Sequence, residues 1–528
     1  MFLVLLLMHT FLFAQDRTFS SNLPLVFIDT GGEPIHDEPK RIAEMGIVWN
    51  GKDSLNESTA PFNHYYGKIG IEIRGSSSQM FPKKSYGFET RDANGNDMDF
   101  PLLGLPEEED WILYAPYSDK SLIRNVLVFT LAASLEHYTP RCRFVELFLN
   151  NEYQGVYVLM EKIKRDKSRV DIARLRTQDT TGVELTGGYI VKIDKKTGGG
   201  GGGWYSQYRN PMNRTTFYQY EYPDDDEIQP DQANYIQQYI HDFESAVHNE
   251  EFDKKDGYWQ YINDTSFIDY LILNELSKNV DAYRLSAFFY KDKGGKLNAG
   301  PVWDFNLAFG NANYAAAWET YGLQVYADMG DDRWHNPFWW PLLLSDKKFF
   351  SALRCRWNEL HQNVLSTNRV IEVADSLVNL LEEPAKRNFQ RWPVLGKWVW
   401  PNHFVGDDYQ SEVTWLKNWI YERMHSLNQK FPLKCGDTEP NVPLEFVVNV
   451  YPNPFRHNFT VDVQTENNLL LNVQLFSLNG TEVFSNIIHV DEGINTLEIT
   501  PDAVPRGVYI YRVIRGETRV AAGKLVKL

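Results

Sequence analysis

Hydrophobic and polar positions alternate through residues 23–90. The stretches LPLVFIDT, RIAEMGIVWN, YYGKIGIEIRG and KKSYGFET carry β-branched and aromatic residues between Gly, Pro and Asn breakers, so this region reads as strands. The period changes in SDKSLIRNVLVFTLAASLEH, where Leu122, Val126, Phe129 and Ala133 recur at helical spacing and Ser118 is placed to cap. Strands return in RFVELFLNNEYQGVYVLMEKI, a hairpin turning at Asn150-Asn151-Glu152, and again in GGYIVKID. Segments 232–280 and 341–430 are helical in pattern, the second rich in Trp. The expectation is an α+β chain whose N-terminal lobe is mostly β and whose C-terminal lobe is mostly α.

The pattern breaks again at 432–447, PLKCGDTEPNVPLEFV, a Pro-bearing linker with no helical period. About 80 residues of short alternating strands follow, which fits a small β-sandwich. At the other end, MFLVLLLMHTFLFAQ is an apolar run of signal-peptide length, predicting cleavage after Ala14, so residues 1–14 are read as a leader. No later run is of transmembrane length. The Gly198–Gly203 run lacks the Lys-Ser/Thr of a phosphate-cradling loop and reads as a loop.

Composition narrows the function classes. The 528 residues are 43% apolar and 14% aromatic, enough to bury a large core in more than one domain. A formal charge of -17 argues against broad binding to nucleic acid or anionic membranes. Three cysteines, Cys142, Cys355 and Cys435, are too few and too scattered to predict a disulfide framework or a zinc site.

Four polar clusters in the large domain could carry chemistry. In IRGSSSQMFPKKSYGFE, Arg74 precedes three serines, and Lys83 and Lys84 enter a strand whose alternation lets only one of them face a cleft. Such a lysine is a point charge for phosphate, and equally an ordinary basic patch. In LPEEEDWILYAPYSDKSLIRN, Asp110, Asp119, Arg124 and Asn125 surround a helix start suited to an anion, though acids there also answer the helix dipole. Glu161 ends an apolar strand. Asp281 and Asp304 stand 23 residues apart, with a strand and the Gly294-Gly295 turn between them, so an intervening hairpin would return one carboxylate to the other. Paired oxygens of that kind suit a hard divalent ion or the orientation of a nucleophile's proton; turn capping is the plainer alternative.

Taken in order, RGSSSQMFPKKSY, LPEEEDWILYAPYSDKSLIRN, GVYVLMEKI and NVDAYRLSAFFYKDKGGKLNAGPVWDFNLAFG resemble the spore coat protein H (CotH) kinase family across about residues 65–312. The resemblance implies an atypical protein-kinase-like two-lobe fold over residues 15–431 that binds ATP with Mg²⁺ or Mn²⁺ and transfers the γ-phosphate to Ser or Thr of a protein substrate. It assigns Asp281 to orienting the acceptor hydroxyl and Asp304 to metal binding. Lys83, with Lys84 as the second choice, takes the ATP phosphates. Arg74, Arg124, Asn125 and Glu161 support the nucleotide or its lysine. Two departures stand out: Ser286 occupies the place of a kinase's metal-binding Asn, and Asn306 stands where a second acid is frequent, so both are weaker metal ligands.

From Val450 to Leu528, YPNPF, the Asn-Gly turns, GVYIYRV and the terminal GKLVKL resemble the type A sorting domain of type IX secretion. That implies a Gram-negative, Bacteroidetes-type host, passage through both membranes by the type IX machinery, and a secreted or cell-surface destination. Two other function classes compete: a nucleotide-binding or adhesive surface protein without turnover, and a carbohydrate-active protein. The latter rests on Trp334, Trp339, Trp340, Trp392, Trp398 and Trp400, which equally suit core packing.

Overall fold

In a computed structural model of the chain, the alternating N-terminal segments are strands β1 (Ser20–Ser21), β2 (Leu25–Asp29), β3 (Arg41–Val48), β4 (Asn56–Glu57), β5 (Tyr65–Arg74), β6 (Ser85–Arg91), β7 (Asp110–Tyr114), β8 (Cys142–Leu149) and β9 (Glu152–Glu161). The structure describes residues 19–528 apart from 197–201, 211, 253–256, 331, 433–447 and short stretches at 452, 466–468, 478–480, 492, 502 and 516–517. The leader, most of the glycine run and most of the linker therefore lie outside the described residues.

Seven of these strands close into a barrel in the order β2-β3-β5-β6-β7-β9-β8. Closure comes from β2 pairing in parallel with β8, which lies far along the chain; the other pairs are antiparallel. Alternate residues fill the interior, among them Met45 and Ile47, Ile69 and Ile71, Trp111 and Leu113, and Tyr157 and Leu159. The β8–β9 turn is Asn150-Asn151, with φ of 49° and 65°, the pair of left-handed residues that a two-residue hairpin demands.

Helix α1 (Arg124–Ala132) starts later than the periodicity predicts. Leu122 has a φ of 66° and stands outside it, and Asp119, not Ser118, does the capping: its Oδ2 accepts from the Arg124 N–H at 2.9 Å. The Ser118 carbonyl instead accepts from the side chains of Asn311 and Asn402.

The segments expected to be helical, 232–280 and 341–430, do hold helices, but a second sheet stands with them. Strands β10 (Tyr189–Ile193), β11 (Gly203–Tyr205), β12 (Phe217–Tyr222), β13 (Ala287–Lys291) and β14 (Leu297–Ala299) form a second sheet in the order β11-β12-β10-β13-β14. Its strands are short and dispersed over about 110 residues, so local periodicity shows each only weakly. The helices of this region are α2 (Pro230–His248), α3 (Asp264–Ser277), α4 (Trp339–Ser345), α5 (Lys347–His361), α6 (Thr367–Leu380), α7 (Glu382–Arg391) and α8 (Tyr409–Lys430), of which α7 packs against β9 of the barrel. Trp339 and Trp340 are buried between α3 and the sheet, against Phe267 and near Phe289. Cys355 on α5 is disulfide-bonded, against the expectation from three scattered cysteines, while Cys142 is free.

The chain divides into two compact units that part between Thr438 and Glu439. The second holds β15 (Val448–Tyr451), β16 (Phe459–Thr465), β17 (Leu469–Ser477), β18 (Glu482–Val490), β19 (Gly493–Ile499), β20 (Gly507–Arg515) and β21 (Thr518–Lys527). They form sheets β15-β16-β19 and β18-β17-β20-β21, which share a core including Val461, Leu471, Val473, Leu475 and Val513.

Candidate active site

Strand register brings the acids together. β10 pairs antiparallel with β13, Ile193 opposite Ala287, which sets Asp194 and Ser286 side by side just beyond the pair; Ser286 Oγ donates to Asp194 Oδ2 at 3.4 Å. β13 and β14 form the hairpin between Asp281 and Asp304, so the predicted return of one carboxylate toward the other takes place. The chain leaves β14 and turns at Asp304, with a φ of 60°; Tyr283 and Ser286 have φ of 69° and 51°. Left-handed backbone at such residues costs about 1–2 kcal/mol each, and surrounding contacts must hold it.

Those contacts come from three elements. From α1, Asn125 Oδ1 accepts from the Phe305 N–H at 2.5 Å, and Arg124 Nε donates to the Ala308 carbonyl at 3.0 Å. The Arg124 guanidinium is itself fixed by Asp119 at 2.6 Å, with both groups buried. Asn279 joins the two acidic segments: its Oδ1 accepts from Asp281 N–H at 3.3 Å and its Nδ2 donates to the Asp304 carbonyl at 3.5 Å. At the end of α3, fully buried Glu275 accepts from Tyr283 OH and from the N–H groups of Gln324 and Val325, and pairs with Arg423 of α8.

Burial pushes the Asp304 carboxyl up to about 7, with the charges of Asp281 and Asp194 adding to the push and those of Arg74 and Lys195 opposing it. Burial also raises Asp194. Asp281 is held by Arg284, whose Nη2 donates to Oδ1 at 2.7 Å while Nη1 reaches Asp332 at 2.9 Å. Two cations border the acids. Arg74, at the end of β5, lies over the Trp303 ring at 5.8 Å. Lys195 lies over Trp334 at 5.6 Å and donates to Ser77 Oγ, in the RGSSSQ turn, at 3.3 Å. Asn306 hydrogen-bonds Tyr114 through its side chain.

Asp281, Asp304, Ser286, Asn306 and Arg74 thus belong to one neighbourhood, and Arg124 and Asn125 support it from behind. Lys83 does not face it. That side chain is 2% exposed, its Nζ donating to the Val156 carbonyl at 2.6 Å and to Asn388 Oδ1 at 2.8 Å over the Tyr157 ring. Burial pushes its ammonium well below the usual lysine range, and its hydrogen bonds tie β9 to α7. Lys84 donates to the Gln79 carbonyl at 2.5 Å. Glu161 is buried against Arg141, its Oε1 2.7 Å from the guanidinium, and Oε2 accepts from Tyr138 OH. Sequence reasoning missed Asp194 and Lys195. Their only local signal, an acid and a base ending an apolar strand in VKIDKK, is shared with Glu161, and sheet pairing alone separates the cases.

The donor set fits a hard cation in kind: carboxylates of Asp304 and Asp194 and the Asn306 amide oxygen. It is not closed. Among the described residues, the acids whose oxygens gather within 4.8 Å of one another are Asp99, Glu108 and Glu109, which Lys164 and Arg169 compensate. The tryptophans do not form one face: Trp339 and Trp340 are core, Trp392 packs under Arg391, and Trp400 stacks on Tyr314.

No curated protein matches the chain. Among solved structures, it is similar to the Pseudomonas fluorescens alkylpurine DNA glycosylase AlkC bound to DNA containing an abasic site analog, at 10% identity over 37% of this chain and 56% of that one, with a TM-score of 0.12. A likeness that slight carries no argument. The second unit matches the secretion system C-terminal sorting domain over residues 449–527, which implies the type IX machinery and export to a secreted or surface location. The model of the CotH kinase protein family matches residues 71–427, spanning Arg74, Asp194, Asp281 and Asp304 alike, and the chain belongs to that family.

Proposed function

We propose that this chain is an exported protein kinase that transfers the γ-phosphate of ATP to Ser or Thr of surface or co-exported proteins in a Gram-negative, Bacteroidetes-type host. What supports the reading most is the gathering of Asp194, Asp281 and Asp304, from three separate segments, beside Arg74 and Lys195, in a family member. The barrel and the sheet-and-helix region act as the two lobes. Asp304, Asp194 and Asn306 would hold Mg²⁺ or Mn²⁺, which would supply positive charge to neutralise the phosphates. Arg74 and Lys195 replace Lys83 and Lys84 as the phosphate-binding cations.

Asp281 orients the acceptor. Arg284 occupies Oδ1, and Oδ2 has no hydrogen-bond partner among the described residues, so it is the oxygen that receives the acceptor's proton. The hydroxyl oxygen bonds to the γ-phosphorus, the bond from that phosphorus to the bridging oxygen breaks, and ADP departs with the electron pair. Transfer of this kind depends mainly on positioning and charge, which a guanidinium-anchored carboxylate provides.

A nucleotide-binding protein without turnover is the second reading, favoured by Ser286, whose hydroxyl is directed to Asp194, and by the uncharged Asn306. One experiment separates them. The full chain is incubated with ATP and Mg²⁺ or Mn²⁺ and followed by phosphosite mass spectrometry and thermal shift, alongside Asp304→Ala and Asp281→Asn. The kinase reading expects metal-dependent phosphorylation lost in both variants, with ATP-induced stabilisation kept in Asp281→Asn. Stabilisation without transfer establishes the second reading; neither signal refutes both.

A further inference from the structure

A cleft of about 630 Å³ opens between α2 and β11, within the size range of small-ligand sites. It is built from residues that the phosphotransfer reading does not use. One wall is a face of α2: Asp231, Asn234, Gln238 and His241 follow one another at spacings of three and four and all line the cleft. The facing element contributes Trp204, which rests on Tyr218 with ring centroids 5.3 Å apart and near-parallel planes, and on Tyr220 at 5.2 Å.

The interior is fixed by Glu244. Its two carboxylate oxygens accept from Ser206 Oγ and Tyr218 OH, each at 2.8 Å, and burial pushes its carboxyl up to about 7. Both oxygens of that acid are thus taken by internal bonds. His241 Nδ1, also in the wall, is buried and makes no hydrogen bond among the described residues. Among the described lining residues there is no lysine or arginine, and nearby Lys196 lies over the rings of Tyr205 and Phe217.

These features select a ligand class. Phosphate and carboxylate ligands lack a cation to meet them. An apolar ligand would strip water from the amides of Asn234 and Gln238 without replacing its hydrogen bonds. A saccharide hydroxyl both donates and accepts, as those amides do, and the C–H face of a pyranose covers an indole ring. We propose that the α2–β11 cleft is a binding site for a neutral saccharide, separate from the acidic site and independent of whether that site transfers phosphate.

The test is calorimetric titration of the full chain with short neutral gluco-, manno- and xylo-oligosaccharides, their free monosaccharides, and phosphorylated and uronic counterparts. At least one neutral saccharide is expected to saturate, with affinity falling about tenfold in Trp204→Ala and severalfold in Gln238→Ala, and unchanged in Trp398→Ala at an exposed ring outside the cleft. Gln238 is exposed, so its variant reports on binding even if loss of Trp204 disturbs the fold. Binding of chains without monosaccharides assigns the ligand to a polymer and the reverse to a free sugar; both support the site. Absence of saturation by every neutral saccharide, preference for the charged ones, or binding untouched by Gln238→Ala and Trp204→Ala overturns it.

Discussion

Asp304 carries the sharpest consequence of the electrostatics. Its folded-state carboxyl titrates at about 7, above the ordinary 3.8, because burial and two neighbouring acids disfavour its charge. Between those values the folded protein keeps a proton that the unfolded chain has released. Without metal, the stabilising contribution is therefore complete below the unfolded value and declines as pH rises through about 7. Asp304→Asn should accordingly stabilise the metal-free protein by about 1–3 kcal/mol at pH near 8, less at pH near 5 and by little only below about pH 4, read from denaturant midpoints. A variant equally or less stable at the higher pH would contradict the described crowding of acids. In the proposed site the same proton would compete with a divalent ion, so apparent Mg²⁺ affinity should rise about tenfold per pH unit below 7 and level off above it, measured by calorimetry.

At the scale of elements, α1 acts as a clamp on the segment that bears Asp304. Asn125→Ala removes the acceptor of a buried Phe305 N–H, for a cost of about 1–3 kcal/mol. It should also weaken ATP-induced stabilisation, although Asn125 touches no ligand in the proposed complex. Asn125→Asp, which keeps an acceptor oxygen, should retain more of that response; if both variants bind ATP as the parent does, the clamp is not what sets Asp304. Strand pairing does the corresponding work for Asp194, whose place beside Ser286 follows from the β10–β13 register. A slip of one residue would turn it to the other face.

For the whole molecule, two units with separate cores predict separable behaviour. A chain ending at Thr438 should keep the melting temperature and ATP response of the first unit while losing delivery to the surface, compared by calorimetry and by fractionation of the producing cells. A fall of the first transition by more than about 5 °C would show that the first unit depends on the sorting domain. The disulfide at Cys355 accords with an exported protein, since such bonds persist in oxidising compartments.

Sequence alone determined what is local or carried by ordered motifs. Alternation is a property of neighbouring residues, and it marked every barrel strand except β7, and the sandwich; the Asn150-Asn151 turn follows from the tolerance of Asn for left-handed backbone. The motif series pointed to the family and singled out Asp281 and Asp304. Tertiary structure decided the rest, because it depends on contacts between distant segments. Barrel closure needs β2 beside β8, and the second sheet draws short strands from across about 110 residues. Lys83 and Lys195 are both lysines near strand ends, yet one is buried against Asn388 and the other borders the acids. Burial and partnership, which no single segment encodes, make that difference.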